Sequence, residues 1–99
     1  MLFWITAKAK EGVSGESLAG KRKQWVSQGK DEQLRRSCRR AQRYVAVGSA
    51  PTQVFWLLET DDPKAVQLIT DHFGVFWTIE SHVVIEQPVT DTVVLEEGT

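Results

Sequence analysis

Four short segments predict β-strands, because they are rich in aromatic and branched residues or alternate between apolar and polar side chains. The first segment covers residues 2–9 and the third covers residues 53–59, both rich in aromatic and branched side chains. A shorter second strand is predicted at 44–47, followed by a turn at 48–51. The fourth strand follows a loop at 75–77, covers residues 79–85, and ends before Pro88. The pattern therefore predicts a four-stranded sheet.

Between the strands, apolar residues recur every three or four positions, which predicts helices. Ser14 is a suitable N-cap for the first helix, and Gly29 is a suitable end. A second helical piece is predicted over residues 31–40. Asp62 and Pro63 are typical of a helix start. The buried stripe of this last helix would consist of Ala65, Val66, Ile69 and Phe73.

The elements follow the order strand, helix, strand, strand, helix, strand, which is the split βαβ arrangement of an α+β domain. In this arrangement the sheet is antiparallel and its first and third strands are central. Both strands carry large apolar side chains on both faces, since Trp4 alternates with Ile5 and Trp56 alternates with Phe55 and Leu57. Helices can cover only one face, so aromatic surface would remain bare on the other. We therefore expect the second face to pack against another copy of the chain in a homodimer.

Length and composition are those of one small globular domain, with 99 residues, 41% hydrophobic and 25% charged. We assign residues 1–88 to this domain and residues 89–99 to an acidic C-terminal tail. No apolar run approaches the roughly 18 residues of a membrane span, so we expect no membrane partner and a cytoplasmic location. Glycine-rich phosphate loops and paired metal-ligand spacings are absent, so the sequence supports neither a metal nor a cofactor.

Charge is distributed unevenly although the net charge is only −1. Residues 21–43 contain nine of the 12 basic residues and two acids, which gives this segment +7 and the remainder −8. Arginines on adjacent ridges of a helix could contact phosphates, so an anion- or nucleic-acid-binding module is our alternative hypothesis. More commonly, arginines in such a segment lie on a solvated helix face and pair with Asp or Glu. The arginines concerned are Arg35, Arg36, Arg39, Arg40 and Arg43.

Nucleic acid is disfavoured by the third strand, because residues 52–57 lack the aromatic signature of the RNA-recognition motif, which shares this element order. Cys38 lies among the arginines, which could make its thiol reactive. Its position on the apolar stripe of the predicted helix favours a small core residue instead.

Three stretches carry a family resemblance: residues 1–6, residues 55–63, and residues 72–80 with His72, Phe73 and Gly74 at their start. They resemble an uncharacterised family of short bacterial proteins that is catalogued as a domain of unknown function. The resemblance implies a ferredoxin-like fold and a dimeric α/β barrel. Relatives on this fold include cofactor-free monooxygenases, isomerases, haem-degrading enzymes and ligand-sensing domains, so the fold leaves the function open. The chain has no asparagine, a residue that haem-degrading relatives use, and Thr6 stands at the corresponding strand.

We predict that a small, partly apolar molecule binds between the sheet and the helices. The candidates for proton transfer are His82, Glu80 two residues before it, and His72 beside the apolar stripe of the last helix. Core and dimer packing would also explain the tryptophans, and surface or boundary positions would explain the histidines. An interaction subunit without a pocket is therefore a third hypothesis. The residues expected to shape the pocket are Trp4, Trp56, Trp77 and His82.

Overall fold

The computed structural model describes residues 1–48 and 52–88, so most of the predicted turn and the acidic tail lie outside the described residues. The first helical region is divided into two helices by Gly29, whose φ of 73° lies in the left-handed region that glycine adopts readily. No helix in the described ranges is long and apolar enough to cross a membrane. The elements are β1 (Leu2–Ala9), α1 (Gly15–Ser27), α2 (Lys30–Ser37), β2 (Arg40–Val45), β3 (Gln53–Glu59), α3 (Lys64–Phe73) and β4 (Trp77–Val84).

The four strands form one antiparallel sheet in the order β2-β3-β1-β4. The prediction that the first and third strands are central is thus confirmed. Trp4 of β1 lies directly opposite Leu57 of β3 on one side and His82 of β4 on the other. Since side chains alternate between faces, this register assigns every strand residue to one of the two sides of the sheet.

The hydrophobic core lies between one side of the sheet and the three helices, and we call this side the helix-facing side. From the sheet it receives one alternate set of each central strand, and Ile5 and Leu58 are fully buried there. From the helices it receives Trp25 of α1, Leu34 of α2 and Ile69 of α3, none more than 4% exposed. Val26, the neighbour of Trp25, is 53% exposed.

Two predicted helix starts are confirmed by their hydrogen bonds. The hydroxyl of Ser14 accepts a hydrogen bond from the backbone N–H of Ser17 at 3.1 Å, which caps α1. The carboxylate of Asp62 accepts one from the N–H of Lys64 at 3.0 Å, at the start of α3. Both bonds satisfy amides that have no partner inside the helix.

The prediction for residues 31–47 was wrong in one respect, because α2 ends at Ser37 and β2 begins at Arg40. Cys38 already has extended backbone, and the N–H of Arg39 donates to the carbonyl of Glu59 at 2.8 Å. The chain therefore joins β3 several residues earlier than the hydrophobic pattern predicts. Edge strands commonly carry charged side chains, and the arginines of β2 obscured its alternation.

The start of β4 also differs from the prediction. Trp77 was assigned to the loop before the fourth strand and to the pocket, but it pairs with Ala9 as the first residue of β4. Its side chain is 6% exposed and belongs to the hydrophobic core.

Candidate functional site

The structure does not bring the four predicted pocket residues together. Trp56 and Trp77 lie on the helix-facing side and are 5% and 6% exposed, respectively. Trp4 and His82 lie opposite each other on the other side of the sheet. A single pocket formed by all four side chains is therefore excluded within one chain, because the sheet itself separates the two pairs.

We call the side without helices the open face. Its centre is aromatic, since Trp4 stacks on Phe55 with ring centroids 5.4 Å apart and lies 6.1 Å from the ring of Tyr44. The register adds Leu57 beside these rings. The open face is therefore mostly apolar across the two central strands, on the side that the helices leave uncovered, and edge-strand residues extend it. Its members are Leu2, Trp4, Thr6, Tyr44, Phe55, Leu57, His82 and Val84.

His82 and Glu80 lie on β4 at the margin of this face. Their closest nitrogen and oxygen are 3.9 Å apart, and their side chains are 61% and 70% exposed. Glu80 also borders an open depression of about 440 Å³ at the far end of the face, where the other lining groups include Lys8 and Gln53. No aromatic ring lines this depression. The geometry therefore gives His82 and Glu80 no enclosed space in which to act on a substrate.

His72 is a buried structural residue rather than a boundary residue. It is 3% exposed, its Nε2 lies 2.9 Å from the backbone carbonyl of Lys21, and its Nδ1 lies 3.0 Å from the ammonium of Lys30. A carbonyl only accepts and an ammonium only donates, so the ring is neutral and protonated at Nε2. Burial, together with the charges of Lys30 and Lys21, lowers the pKa of His72, against the opposing effect of the carbonyl. The ring therefore joins α1 to α3.

The five candidate arginines do not form one helical ridge, which corrects the expectation for the basic segment. Arg35 and Arg36 lie on α2, where they pair with Asp31 and Glu32 at 2.9 Å each. Arg39 lies between the elements and pairs with Glu59 and Asp61. Arg40 and Arg43 belong to β2, and their register places them on opposite sides of the sheet. This scatter does not make the continuous phosphate-binding surface that a nucleic acid would need.

Cys38 also differs from the reactive thiol considered above. Burial is the largest effect on its pKa and raises it, the nearby charge of Asp62 raises it further, and a hydrogen bond with Thr60 opposes them. A raised pKa reduces the thiolate that would react at neutral pH.

A small cleft, partly open to solvent, lies between the helices and the sheet, and we call it the arginine cleft. It is about 160 Å³ in volume and is located at the β2 edge. At roughly 30 Å³ per water molecule, it has room for about five waters, which suits a one-ring molecule rather than a larger ligand. It is lined by Arg22, Asp31, Leu34, Arg35, Ala41, Gln42, Arg43 and Trp56.

Asp31 organises one wall of the cleft. Its Oδ1 accepts a hydrogen bond from the indole N–H of buried Trp25 at 3.1 Å and lies 3.4 Å from the guanidinium of Arg22. Its Oδ2 pairs with Arg35 at 2.9 Å. Burial by itself raises the pKa of Asp31, but the Trp25 hydrogen bond and the two arginines outweigh it and leave the pKa below its ordinary value. Asp31 is therefore a carboxylate at neutral pH, and its two oxygens already have donors.

Arg43 enters the cleft from β2, on the same side of the sheet as Trp56, its partner in β3. Its backbone belongs to the β2–β3 ladder, but within the described residues its guanidinium has neither a hydrogen bond nor an ion pair. Burial and the neighbouring charge of Arg22 lower the pKa of Arg43, whereas Asp31 raises it. The cleft thus contains one guanidinium that lacks an anionic partner at bonding distance.

Sequence reasoning missed the cleft because four elements contribute to it. Only Trp56 was predicted to bind a ligand, and Arg35 and Arg43 were predicted only as part of an anion-binding ridge. One signal was available: Ala41, Arg43 and Val45 alternate, so a strand there would place an arginine on the apolar side.

The strand order, the antiparallel pairing and the helices on one side define a ferredoxin-like α+β domain. Solved structures agree. The 5-chloro-2-hydroxyhydroquinone dehydrochlorinase of Burkholderia phenoliruptrix AC1100 has a TM-score of 0.63 and 14% identity, over 88% of this chain and 96% of that one. An antibiotic biosynthesis monooxygenase has a TM-score of 0.53 and 14% identity, over 89% and 100%. A dimeric ferredoxin-like protein from an uncultured marine organism has 0.50 and 14%, over 87% and 96%.

These identities establish a common fold and no more. Residues 1–96 match the family described as a domain of unknown function, DUF3303, and the chain belongs to that family. No curated protein matches the chain significantly. The resemblance stated from the sequence, to an uncharacterised family with this fold, is therefore confirmed.

Proposed function

We propose that the protein is a homodimer, paired through its open face, that binds a small, partly apolar molecule in the arginine cleft of each chain. The cleft is the observation that supports the binding role, because apolar and polar side chains converge there between the helices and the sheet. The site differs from the predicted one in its residues but keeps the predicted place between the sheet and the helices. The cytoplasmic location stays a prediction.

The open face supports the dimer. Trp4, Phe55 and Tyr44 form an aromatic cluster on the side that the helices leave uncovered. Large apolar patches are rare on monomers, and a second copy related by two-fold symmetry would bury this one. One structurally similar protein is described as dimeric. Because the two proteins share a fold, this chain could pair in the same way.

The lining of the cleft supports a one-ring ligand. Leu34 and Trp56, at 4% and 5% exposure, form a rigid apolar wall, and the guanidinium groups supply the polar contacts. The similar dehydrochlorinase was solved in complex with 2,5-dihydroxybenzoquinone, which is also a single oxygenated ring. We therefore propose a ligand of that size for this chain.

The dimer is tested by light scattering on the purified protein. Since one chain weighs 11.2 kDa, a dimer should give about twice this mass. The variant Leu57→Glu places a charge at the centre of the open face and should be monomeric, because two unpaired carboxylates would be buried. Val26→Glu changes an exposed position of α1 and should remain dimeric. A monomeric parent protein would contradict the proposal.

Binding is tested by calorimetric titration with 2,5-dihydroxybenzoquinone and with benzoate. Ala41→Phe fills the cleft from β2 and should abolish binding. Ala19→Phe makes the same change at an exposed position of α1 and should bind like the parent. Equal binding by both variants would place the ligand elsewhere, and no binding of either compound to the parent would remove the proposed ligand class.

A further inference from the structure

The charges around the arginine cleft do not balance. Three guanidinium groups line it, from Arg22, Arg35 and Arg43, and they face one carboxylate, Asp31. Asp31 already accepts from Trp25 and pairs with the first two arginines. Among the described residues, the cleft therefore has an excess of two positive charges, and Arg43 has no carboxylate partner.

Arg43 is an exposed residue, so water solvates its guanidinium in the free chain, and an anion that enters the cleft can replace this water. The five N–H donors of a guanidinium match the two oxygens of a carboxylate, and hydrogen bonds between such charged groups are among the strongest in proteins. Arg43 is placed for this role, because β2 holds it beside Trp56 and the other arginines add to the positive charge of the cleft. A carboxylate at its tip would also lie near Arg22, whose contact with Asp31 is long at 3.4 Å.

We propose that the cleft selects a one-ring aromatic carboxylate, with the carboxylate on Arg43 and the ring against Trp56 and Leu34. This inference rests on the proposed function and adds the charge class of the ligand and the residue that recognises it. The size of the cleft, about 160 Å³, suits one ring and its carboxylate better than an extended polyanion. The apolar wall favours a ring over a bare oxyanion such as acetate or phosphate.

Three probes separate the contributions in titration calorimetry. Benzoate has both the ring and the charge, benzamide has the ring without the charge, and acetate has the charge without the ring. We expect benzoate to bind the parent protein at least tenfold more tightly than either of the others, the size of effect expected from one charge-assisted hydrogen-bond pair.

Variants then identify the residue. Arg43→Gln should weaken benzoate binding at least tenfold and leave benzamide unchanged, whereas Arg43→Lys, which keeps the charge, should retain part of the affinity. Arg36→Gln removes an equal charge from α2 outside the cleft and should stay within twofold of the parent. Circular dichroism checks the fold of each variant.

The outcomes distinguish this inference from the proposed function. If benzamide binds as well as benzoate, the cleft binds rings but does not select anions, and only this inference fails. If neither benzoate nor benzamide binds but 2,5-dihydroxybenzoquinone does, only this inference fails; if none of the three binds, both fail. If benzoate binding survives Arg43→Gln, Arg43 is not the recognition residue. Should Arg43→Gln not fold, the probe comparison on the parent protein and the Arg43→Lys variant still decide.

Discussion

Replacing Asp31 should change stability and ligand affinity in opposite directions. In Asp31→Asn, the amide oxygen can still accept from the indole of Trp25, but the charge that holds Arg22 and Arg35 is lost. The Arg35 side chain is 75% exposed and that of Arg22 is 36% exposed, so each pair is worth about 0.3–1 kcal/mol. The hydrogen bond from Trp25 is also weaker when its acceptor is a neutral amide, so we expect the free energy of unfolding to fall by about 1–2 kcal/mol in total.

The truncation Asp31→Ala should cost more, about 2–4 kcal/mol, because it leaves the N–H of Trp25, which is 1% exposed, without an acceptor. For a domain of this size, 1 kcal/mol lowers the melting temperature by about 4–8 °C. Differential scanning calorimetry at fixed protein concentration measures both variants.

Benzoate should bind Asp31→Asn more tightly than the parent, because a competing negative charge leaves the cleft. At a separation of roughly 6 Å, this repulsion is about 0.7–1.4 kcal/mol for effective dielectric constants of about 80 to 40, or three- to tenfold in affinity. Weaker benzoate binding to a folded Asp31→Asn protein would refute the reasoning, since it would make Asp31 a ligand-binding group and not a competitor. An unchanged melting temperature in Asp31→Ala would refute the structural role.

Three further predictions concern the rest of the fold. The pKa of His72 is lower in the folded chain than its ordinary value of 6.5, so the unfolded chain binds the proton more readily and stability should fall as pH drops below about 6.5. Urea unfolding at pH 7.5 and pH 5 should show a smaller loss of stability in His72→Gln than in the parent protein. An equal loss in both would show that His72 is not the cause. Ile69→Ala should destabilise by about 2–5 kcal/mol because Ile69 is fully buried, whereas Val26→Ala should stay within about 0.5 kcal/mol. Cys38 should react with a thiol reagent more slowly in the native protein than in urea, and equal rates would contradict its raised pKa.

The central strands and α3 could be predicted because their signals are local. Trp4, Phe55 and Leu57 show the second apolar face in any register, and Asp62 and Pro63 mark the start of α3 within one residue. These features depend on alternation and on capping chemistry, which neighbouring residues determine.

The start of β2 could not be predicted, because an edge strand often carries charged side chains that interrupt the apolar pattern. The arginine cleft could not be predicted at all. Arg22 and Arg43 come together through the pairing of β2 with β3 and the packing of α1 and α2, and no local pattern contains that information. His72 is a second example, because the carbonyl that accepts the hydrogen bond of its buried ring lies 51 positions away in the sequence.

The location of the ligand is tested most directly by nuclear magnetic resonance, because the chain has four tryptophans and therefore four indole N–H signals. During titration with benzoate, we predict that the signals of Trp56, which lines the cleft, and of Trp25, which donates to Asp31, will shift together. The signals of Trp4 on the open face and of Trp77 in the core should stay in place. Shifts confined to Trp4, or no shift in any of the four, would contradict a binding site in the arginine cleft.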